Sequence, residues 1–274
     1  MVMIFIAAGT ACAEGWNPLM EMGPGGMRES VSILKQASAS GAGTIAPSPV
    51  NREKLLVCID PGHPSPFSAG TAVSNGTTEG HINWVVARKL QRTLEDMGVE
   101  VMMTKSSEGQ EIDNRVRALM INEAAEKFMK ENKDGAALTV HLHCDAGPQK
   151  GFAVFYPDQQ GNYSGITGHE PGIGTIGPSK GIQAASRLLA DAVHSSMAAR
   201  LQGSLNDLGV KGDSKTLVGG PGHQGALTFS IFSKIPTVTI EMVTLTNASD
   251  AKFIKTEIGQ QQMAEAIAAG VTSR

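Results

Sequence analysis

Val57-Cys58-Ile59-Asp60-Pro61-Gly62-His63 is the stretch that decides how this chain folds. The aliphatic run from Leu55 to Ile59 stops abruptly at Asp-Pro-Gly. Aliphatic and β-branched residues in such a run form a strand covered on both faces, and Pro61-Gly62 cannot extend its ladder. His63 is therefore predicted at the carboxyl end of a buried strand, where open α/β sheets build their sites. Thr77-Thr78-Glu79 reads as a helix start, and Thr139-Val140-His141-Leu142-His143 as a second apolar strand ending in histidine. One glutamate and two histidines from separate elements form a ligand set suited to a catalytic zinc, with a fourth position left for water.

Working outward, strand and helix alternate. Glu79 to Met97 carries Ile82, Val85, Val86, Leu90 and Leu94 at helical spacing, and Gly98 closes it. Val99 to Thr104 reads as a strand, Ile112 to Lys130 as a helix, Ala136 to Leu142 and Gly151 to Tyr156 as strands. Ile182 to Leu201 is an amphipathic helix, Gly225 to Phe232 and Pro236 to Val243 are strands, and Lys252 to Ala269 is the last helix. The expected fold is α/β, a single domain with a central, mostly parallel sheet flanked by helices. Between these elements, Pro157 to Lys180 holds six glycines and three prolines. A structureless loop of that length beside the site reads as a lid or substrate-contact segment.

The chain has 274 residues, enough for a substantial core, and a formal net charge of -3. That balance gives no electrostatic basis for nucleic-acid binding. The three cysteines, Cys12, Cys58 and Cys144, do not form a disulfide framework. Cys58 and Cys144 read first as small buried hydrophobes, with a bridge between them open if their strands are neighbours.

Residues 1–13 are a short apolar run ending in Ala11-Cys12-Ala13, small residues spaced as at a signal-peptidase site, but without a basic start. The segment reads as the remains of a secretory signal, too short to span a bilayer. Export to the periplasm or the extracellular cell wall is the expectation. Residues 14–54 turn to Gly, Pro, Ser and Ala and read as a flexible linker, so the ordered catalytic domain is expected over 55–274.

Zinc held by two neutral imidazoles and one carboxylate keeps net positive charge and activates water, and such a site needs a carboxylate base. Glu241, in the apolar run Pro236 to Met242, is that candidate. Each residue also has an ordinary explanation. His63 could simply order a turn, Glu79 could favour a helix dipole, Asp60 could make an Asx turn, and Glu241 could pair with Arg115. It is their co-occurrence that favours chemistry. His141 and His143 project to the same side of their strand, and His143 is preferred because it lies nearer the end where loops converge. His141 then sits behind it. Glu79 and His81 project to nearly opposite faces of a helix, so only one can face a metal.

Val57 to His63, Glu79, Leu142-His143-Cys144-Asp145-Ala146 and Ile240-Glu241-Met242 resemble, in order and spacing, the zinc-dependent N-acetylmuramoyl-L-alanine amidases of the type 3 catalytic domain. The resemblance spans Leu55 to Ala269. It implies one Zn2+ ion held by His63, Glu79 and His143, a catalytic Glu241, and a peptidoglycan substrate. The bond cut would be the amide between the lactyl group of muramic acid and L-alanine. It also implies supporting roles for Arg117 and Asn122, with Arg115 as the alternative to Arg117, and leaves room for a regulatory protein partner. The chain departs from the family in placing His141 where serine is usual, Cys144 where alanine is usual, and Val243-Thr244 where Gly-Phe is usual. Two rival activities keep the same motifs: a zinc peptidase acting within the stem peptide, and a non-catalytic peptidoglycan-binding or regulatory module.

Overall fold

Leu55–Pro61 forms β1, and all seven of its residues are buried, as a strand covered on both faces requires. The structure, a computed structural model, describes residues 52–63, 73–163, 166–167, 169–170, 174–175, 177–217 and 225–273. The signal reading of residues 1–13 and nearly all of the linker lie outside the described residues. Arg52–Lys54 is a single 3-10 turn leading into β1, so the ordered chain begins slightly before Leu55.

β1 is flanked by β2 (Glu100–Met103) and β3 (Ala136–Asp145), both parallel to it. With β4 (Phe152–Tyr156), β5 (Asp207–Gly212) and β6 (Thr237–Thr244) they make a six-stranded sheet of order β5-β4-β6-β3-β1-β2. β6 is parallel to β3, whereas β4 runs antiparallel to β6 and carries β5 parallel to itself. The sheet is thus mostly parallel, with a reversed pair at one edge. The carboxyl ends of β1, β3 and β6 all open on the same side.

The helices are α1 (Glu79–Asp96), α2 (Asn114–Glu131), α3 (Lys180–Arg200), α4 (Thr228–Phe232), α5 (Ala248–Ile254) and α6 (Glu257–Val271). In α1, Ile82, Val86, Leu90 and Leu94 are buried at four-residue intervals, and Gly98 follows in the left-handed region at φ +79°. Leu55, Val57 and Ile59 of β1, Leu138, Val140 and Leu142 of β3, and Val238, Ile240 and Met242 of β6 build the larger core with α1, α3 and α6. The alternate residues face the other way. There Leu56, Cys58 and Ala137 form a smaller core with Ala118, Ile121, Ala125 and Phe128 of α2 and Phe229, Ile231 and Phe232 of α4. That smaller core stops short of the strands' carboxyl ends, where the same face turns polar.

Five expectations change. Gly225 to Phe232 is not a strand: Thr228–Phe232 is the short helix α4, packed over the smaller core. An apolar run this short has no period that separates helix from strand. Asp207–Gly212 is an additional edge strand, hidden in the sequence because Leu208 and Val210 are its only apolar side chains, set among glycines and charges, and because it bulges at Gly209, where φ is +80°. The single last helix is two, broken at Lys255-Thr256, where Thr256 accepts at its hydroxyl from Gly259 N and restarts the helix. Within Pro157 to Lys180, Asn162–Tyr163 pairs with Ile166–Thr167 and His169–Glu170 with Gly174–Thr175, so the described parts of that loop are short antiparallel ladders. Cys58 and Cys144 are free thiols that point to opposite faces of the sheet, which removes the bridge.

Asp213, wholly buried after β5, accepts at Oδ2 from Leu227 N, 3.0 Å away, and so steadies the start of α4. Burial, reinforced by repulsion from Asp158, pushes its carboxyl up from 3.8 to about 7. Between those values the folded protein keeps a proton that the unfolded chain has released. Stability contributed there is therefore present at low pH and lost as pH rises through the window. Urea unfolding at pH 4.5 and 7.5 should show wild type losing more stability than Asp213→Asn, by up to about 1.4 kcal/mol per pH unit. Equal losses would mean that Asp213 ionises normally.

Candidate metal centre

Register across the three parallel strands determines which polar groups meet. Asp60 of β1 pairs with His141 of β3, which pairs with Thr239 of β6; two residues further on, His143 pairs with Glu241. Paired residues in neighbouring strands project to the same face, so these side chains form two adjoining polar rungs. Beyond β1 the chain continues the ladder by one bond, Gly62 N to Leu142 O at 2.9 Å, and then turns at His63, whose φ is +65°. That turn swings the His63 ring back over the strand ends. Gly62 has no room for a side chain: a Cβ there would lie 2.3 Å from His143 Nε2 and 2.5 Å from Leu142 O.

Glu79 arrives from the other side. Asn75 and Gly76 both have positive φ and close a tight hairpin between Val73–Ser74 and Thr77–Thr78. The hairpin is tied down by Asn75 Nδ2 to Leu245 O at 2.6 Å and by Lys255 Nζ to Asn75 O at 2.7 Å. Thr78 then caps α1 through its hydroxyl, which accepts from His81 N, and Glu79 is the helix's first residue. Its buried carboxylate Oε1 lies 2.9 Å from His63 Nε2, 2.8 Å from His143 Nδ1 and 3.0 Å from Cys144 N. Although burial opposes ionisation, hydrogen bonds from His143 and His63 hold Glu79 well below the usual carboxylate range.

The three sequence-predicted ligands thus converge: one atom from each of His63, Glu79 and His143 lies within 4.8 Å of the others. Two imidazole nitrogens and one carboxylate oxygen are the donor set of a catalytic zinc, and the missing Cβ of Gly62 leaves the His143 ring its place. The residues fit that metal. His81 faces away, with Nδ1 3.0 Å from Glu108 Oε1 at the surface, so Glu79 is the member of that pair turned inward.

His141 lies behind His143, their Nε2 atoms 2.5 Å apart. Its Nδ1 contacts Asp60 Oδ2, and the Phe229 ring of α4 stacks on it at 4.5 Å. Burial pushes the His141 imidazole down to about 3 despite the favourable charge of Asp60. Asp60 is more than a turn residue. It is fully buried, receives Arg117 Nη1 at 2.6 Å on Oδ2, and receives the Thr104 hydroxyl on Oδ1. Against the cost of burial, Arg117 and then His141 hold the Asp60 carboxyl below its ordinary range. Arg117 also donates to Pro61 O and Ile112 O, both at 3.1 Å, and to Asn114 Oδ1. Asn122 binds Phe232 O at 2.8 Å and accepts from Lys234 N at 2.9 Å, which fixes the end of α4.

Glu241 does not pair with Arg115, whose guanidinium lies 5.7 Å from the centre of the Phe232 ring. Glu241 Oε2 is buried without a hydrogen-bond partner among the described residues. Burial, together with repulsion from Glu79 and Asp145, pushes its carboxyl well up. Sequence reasoning missed Thr104 and Lys105. Lys105 Nζ donates to His63 O at 2.5 Å, and burial pushes this amine down to about 8. Both sit just past β2, more than forty residues from their partners, and no local pattern marks them.

Residues 57–273 match the model of a family described as N-acetylmuramoyl-L-alanine amidase. A curated relative, the uncharacterised protein YqiI of Bacillus subtilis (strain 168), is 26% identical over 235 residues, 84% of this chain and 91% of its own. Among solved structures, the N-acetylmuramoyl-L-alanine amidase AmiC2 of Nostoc punctiforme superposes with a TM-score of 0.56 at 21% identity, over 80% of this chain and 95% of that one. The CwlD amidase of Clostridioides difficile, solved in complex with the GerS lipoprotein, gives 0.51 at 21% identity, over 79% and 95%. At these identities the solved structures establish the shared fold.

Two substitutions test this geometry. Gly62→Ala should weaken binding of an added divalent metal on the order of tenfold or more by displacing His143; chelator competition that finds unchanged affinity would mean the strand ends move apart freely. Arg117→Met leaves Asp60 charged, buried and short of its main partner, and should cost about 3–5 kcal/mol in urea unfolding. A loss below about 1 kcal/mol would place Asp60 in contact with water.

Proposed function

The chain belongs to the N-acetylmuramoyl-L-alanine amidase family, and from that premise we propose that His63, Glu79 and His143 hold a zinc ion, with Glu241 as the general base. The family's reaction is hydrolysis of the amide joining the lactyl group of N-acetylmuramic acid to L-alanine of the peptidoglycan stem. The observation that carries the metal assignment is the convergence of the three donor atoms, with Glu241 in register beside His143.

Zinc, when bound, supplies a Lewis acid that polarises the scissile carbonyl and lowers the pKa of water. The chain's own residues do the rest. Glu79 and the two imidazoles come from three separate elements, so the fold as a whole holds the donor set together. Glu241 takes a proton from the attacking water. It then returns that proton to the alanine nitrogen as the C–N bond breaks, so the amine leaves neutral. Its burial and its repulsion by Glu79 raise its proton affinity, which suits it to accept the proton. To act as base Glu241 must start ionised, and a metal ion held by His63, Glu79 and His143 would offset part of the repulsion from Glu79 that opposes this.

Peptidoglycan lies outside the cytoplasmic membrane, which supports export of the protein to the periplasm or cell wall. No helix among the described residues is long and apolar enough to cross a membrane. Because CwlD was solved with a lipoprotein partner, a regulatory protein is also a reasonable partner for this chain.

Purified peptidoglycan digested with the protein should release stem peptides beginning with L-alanine, identified by mass spectrometry, and release should stop with a chelator and return with zinc. Fragments cut inside the stem would replace this reading with a peptidase. Glu241→Gln should lower kcat by about 10²–10⁴-fold at unchanged zinc content. Retained turnover would remove Glu241 from the mechanism.

A further inference from the structure

We propose that Lys105 is the positioning residue of His63: by donating to the His63 carbonyl it holds a turn that the backbone disfavours, and so aims the His63 imidazole at the metal. This inference rests on the zinc reading and deepens it, because the convergence of three donor atoms does not say what keeps the first of them in place.

His63 is the ligand with the least secondary structure behind it. Glu79 opens a capped helix and His143 lies within β3, whereas His63 stands beyond the end of β1 at Pro61. Its φ of +65° lies in the left-handed region, which strains a residue that carries a Cβ. Pro64, next in the sequence, favours an extended backbone at the residue before it and so opposes the same turn. Proline also has no N–H, so position 64 offers no backbone donor to steady it. A strained conformation of this kind persists only where its surroundings over-determine it.

Here the surroundings act from both sides. On the amino side, Arg117 Nη1 donates to Pro61 O at 3.1 Å and Gly62 N donates to Leu142 O at 2.9 Å. On the carboxyl side, Lys105 Nζ donates to His63 O at 2.5 Å, from 42 residues away in the sequence. Peptide units are planar, so fixing the unit on each side of His63 fixes its φ and ψ and with them the bond that carries the imidazole. That direction brings His63 Nε2 to 2.9 Å from Glu79 Oε1 and sets the ring edge-on to His143, their centroids 4.7 Å apart.

Lys105 is itself held for this task. The residue before it is fastened to β1 at two points: Thr104 N donates to Ile59 O at 3.1 Å, and the Thr104 hydroxyl donates to Asp60 Oδ1. The lysine is only 5% exposed. Lysines are almost never buried without a partner, and ordering so long a stem costs conformational entropy. Methionine would fill much of the same space with no amine to desolvate, so packing alone does not call for lysine at this position. A lysine nitrogen carries hydrogens in either protonation state, so the hold on the carbonyl does not depend on its charge.

Zinc affinity of the full-length protein, measured by chelator competition, tests the assignment. Lys105→Met should weaken added zinc about tenfold or more, the scale of loss when a group that orients a metal ligand is removed. In a His63→Ala background the same substitution should have no further effect, because the residue it acts through is gone. Unchanged affinity in the first comparison would overturn the proposal. Equal losses in the two backgrounds would also overturn it, because Lys105 would then support the fold at large and not His63. Wild type that binds no zinc would overturn the zinc reading and this proposal with it, whereas wild-type binding beside an unaffected Lys105→Met removes Lys105 alone. If Lys105→Met does not fold, Lys105→Gln, whose shorter side chain stops short of the carbonyl, takes its place in both backgrounds with the same expected results.

Discussion

A carboxylate and a guanidinium, both sealed from water, face each other at 2.6 Å behind the site: Asp60 and Arg117. Removing two charges from water is costly, and a buried pair offsets that cost only when its remaining hydrogen-bonding capacity is used. Here it is. Asp60 also takes Thr104 and faces His141, while Arg117 spends its other donors on Pro61 O, Ile112 O and Asn114. The pair consequently joins β1, α2 and the end of β2 at one point. Because Pro61 O is among the acceptors, the carboxyl end of β1 is held just before the turn that delivers His63.

The sheet divides labour between its faces. One face carries aliphatic residues to the end of every central strand and is covered by α1, α3 and α6. On the other face the apolar residues give way to Asp60, His141, Thr239, His143 and Glu241, paired across strands by register. A one-residue slip of β3 against β1 would send both histidines into the aliphatic core, so the same packing that stabilises the fold also fixes His141 and His143. Glu79 reaches this face from the capped start of α1, and Gly62 permits the approach because any side chain there would occupy the space of the His143 ring.

Much of this was legible in the sequence because it is local. An aliphatic run ending in Asp-Pro-Gly-His must stop where it does, a threonine before Glu79 caps a helix, and histidines two apart on a strand share a face. The elements that escaped were those without a local signature. The edge strand Asp207–Gly212 has only two apolar side chains among glycines and charges, α4 is too short for a helical period to show, and the break at Lys255-Thr256 lies in a sequence that could have continued as helix. Asp60 was readable as a turn residue for the same reason: its partners Arg117 and Thr104 lie 57 and 44 residues away.

The sequence by itself determined which groups exist and where the chain must turn, and with them the α/β class, the two strand-end histidines and the first-turn glutamate. Tertiary structure decided which groups touch. It turned Glu79 inward and His81 outward, gave Asp60 to Arg117 and not to its own loop, left Glu241 without the arginine that Arg115 could have supplied, and set His141 behind His143. The physical reason is range. Caps, turns and side-chain alternation act over a few residues, whereas a buried charge or an imidazole nitrogen is defined by neighbours that only the register of the sheet and the packing of α2 and α4 bring within hydrogen-bonding distance.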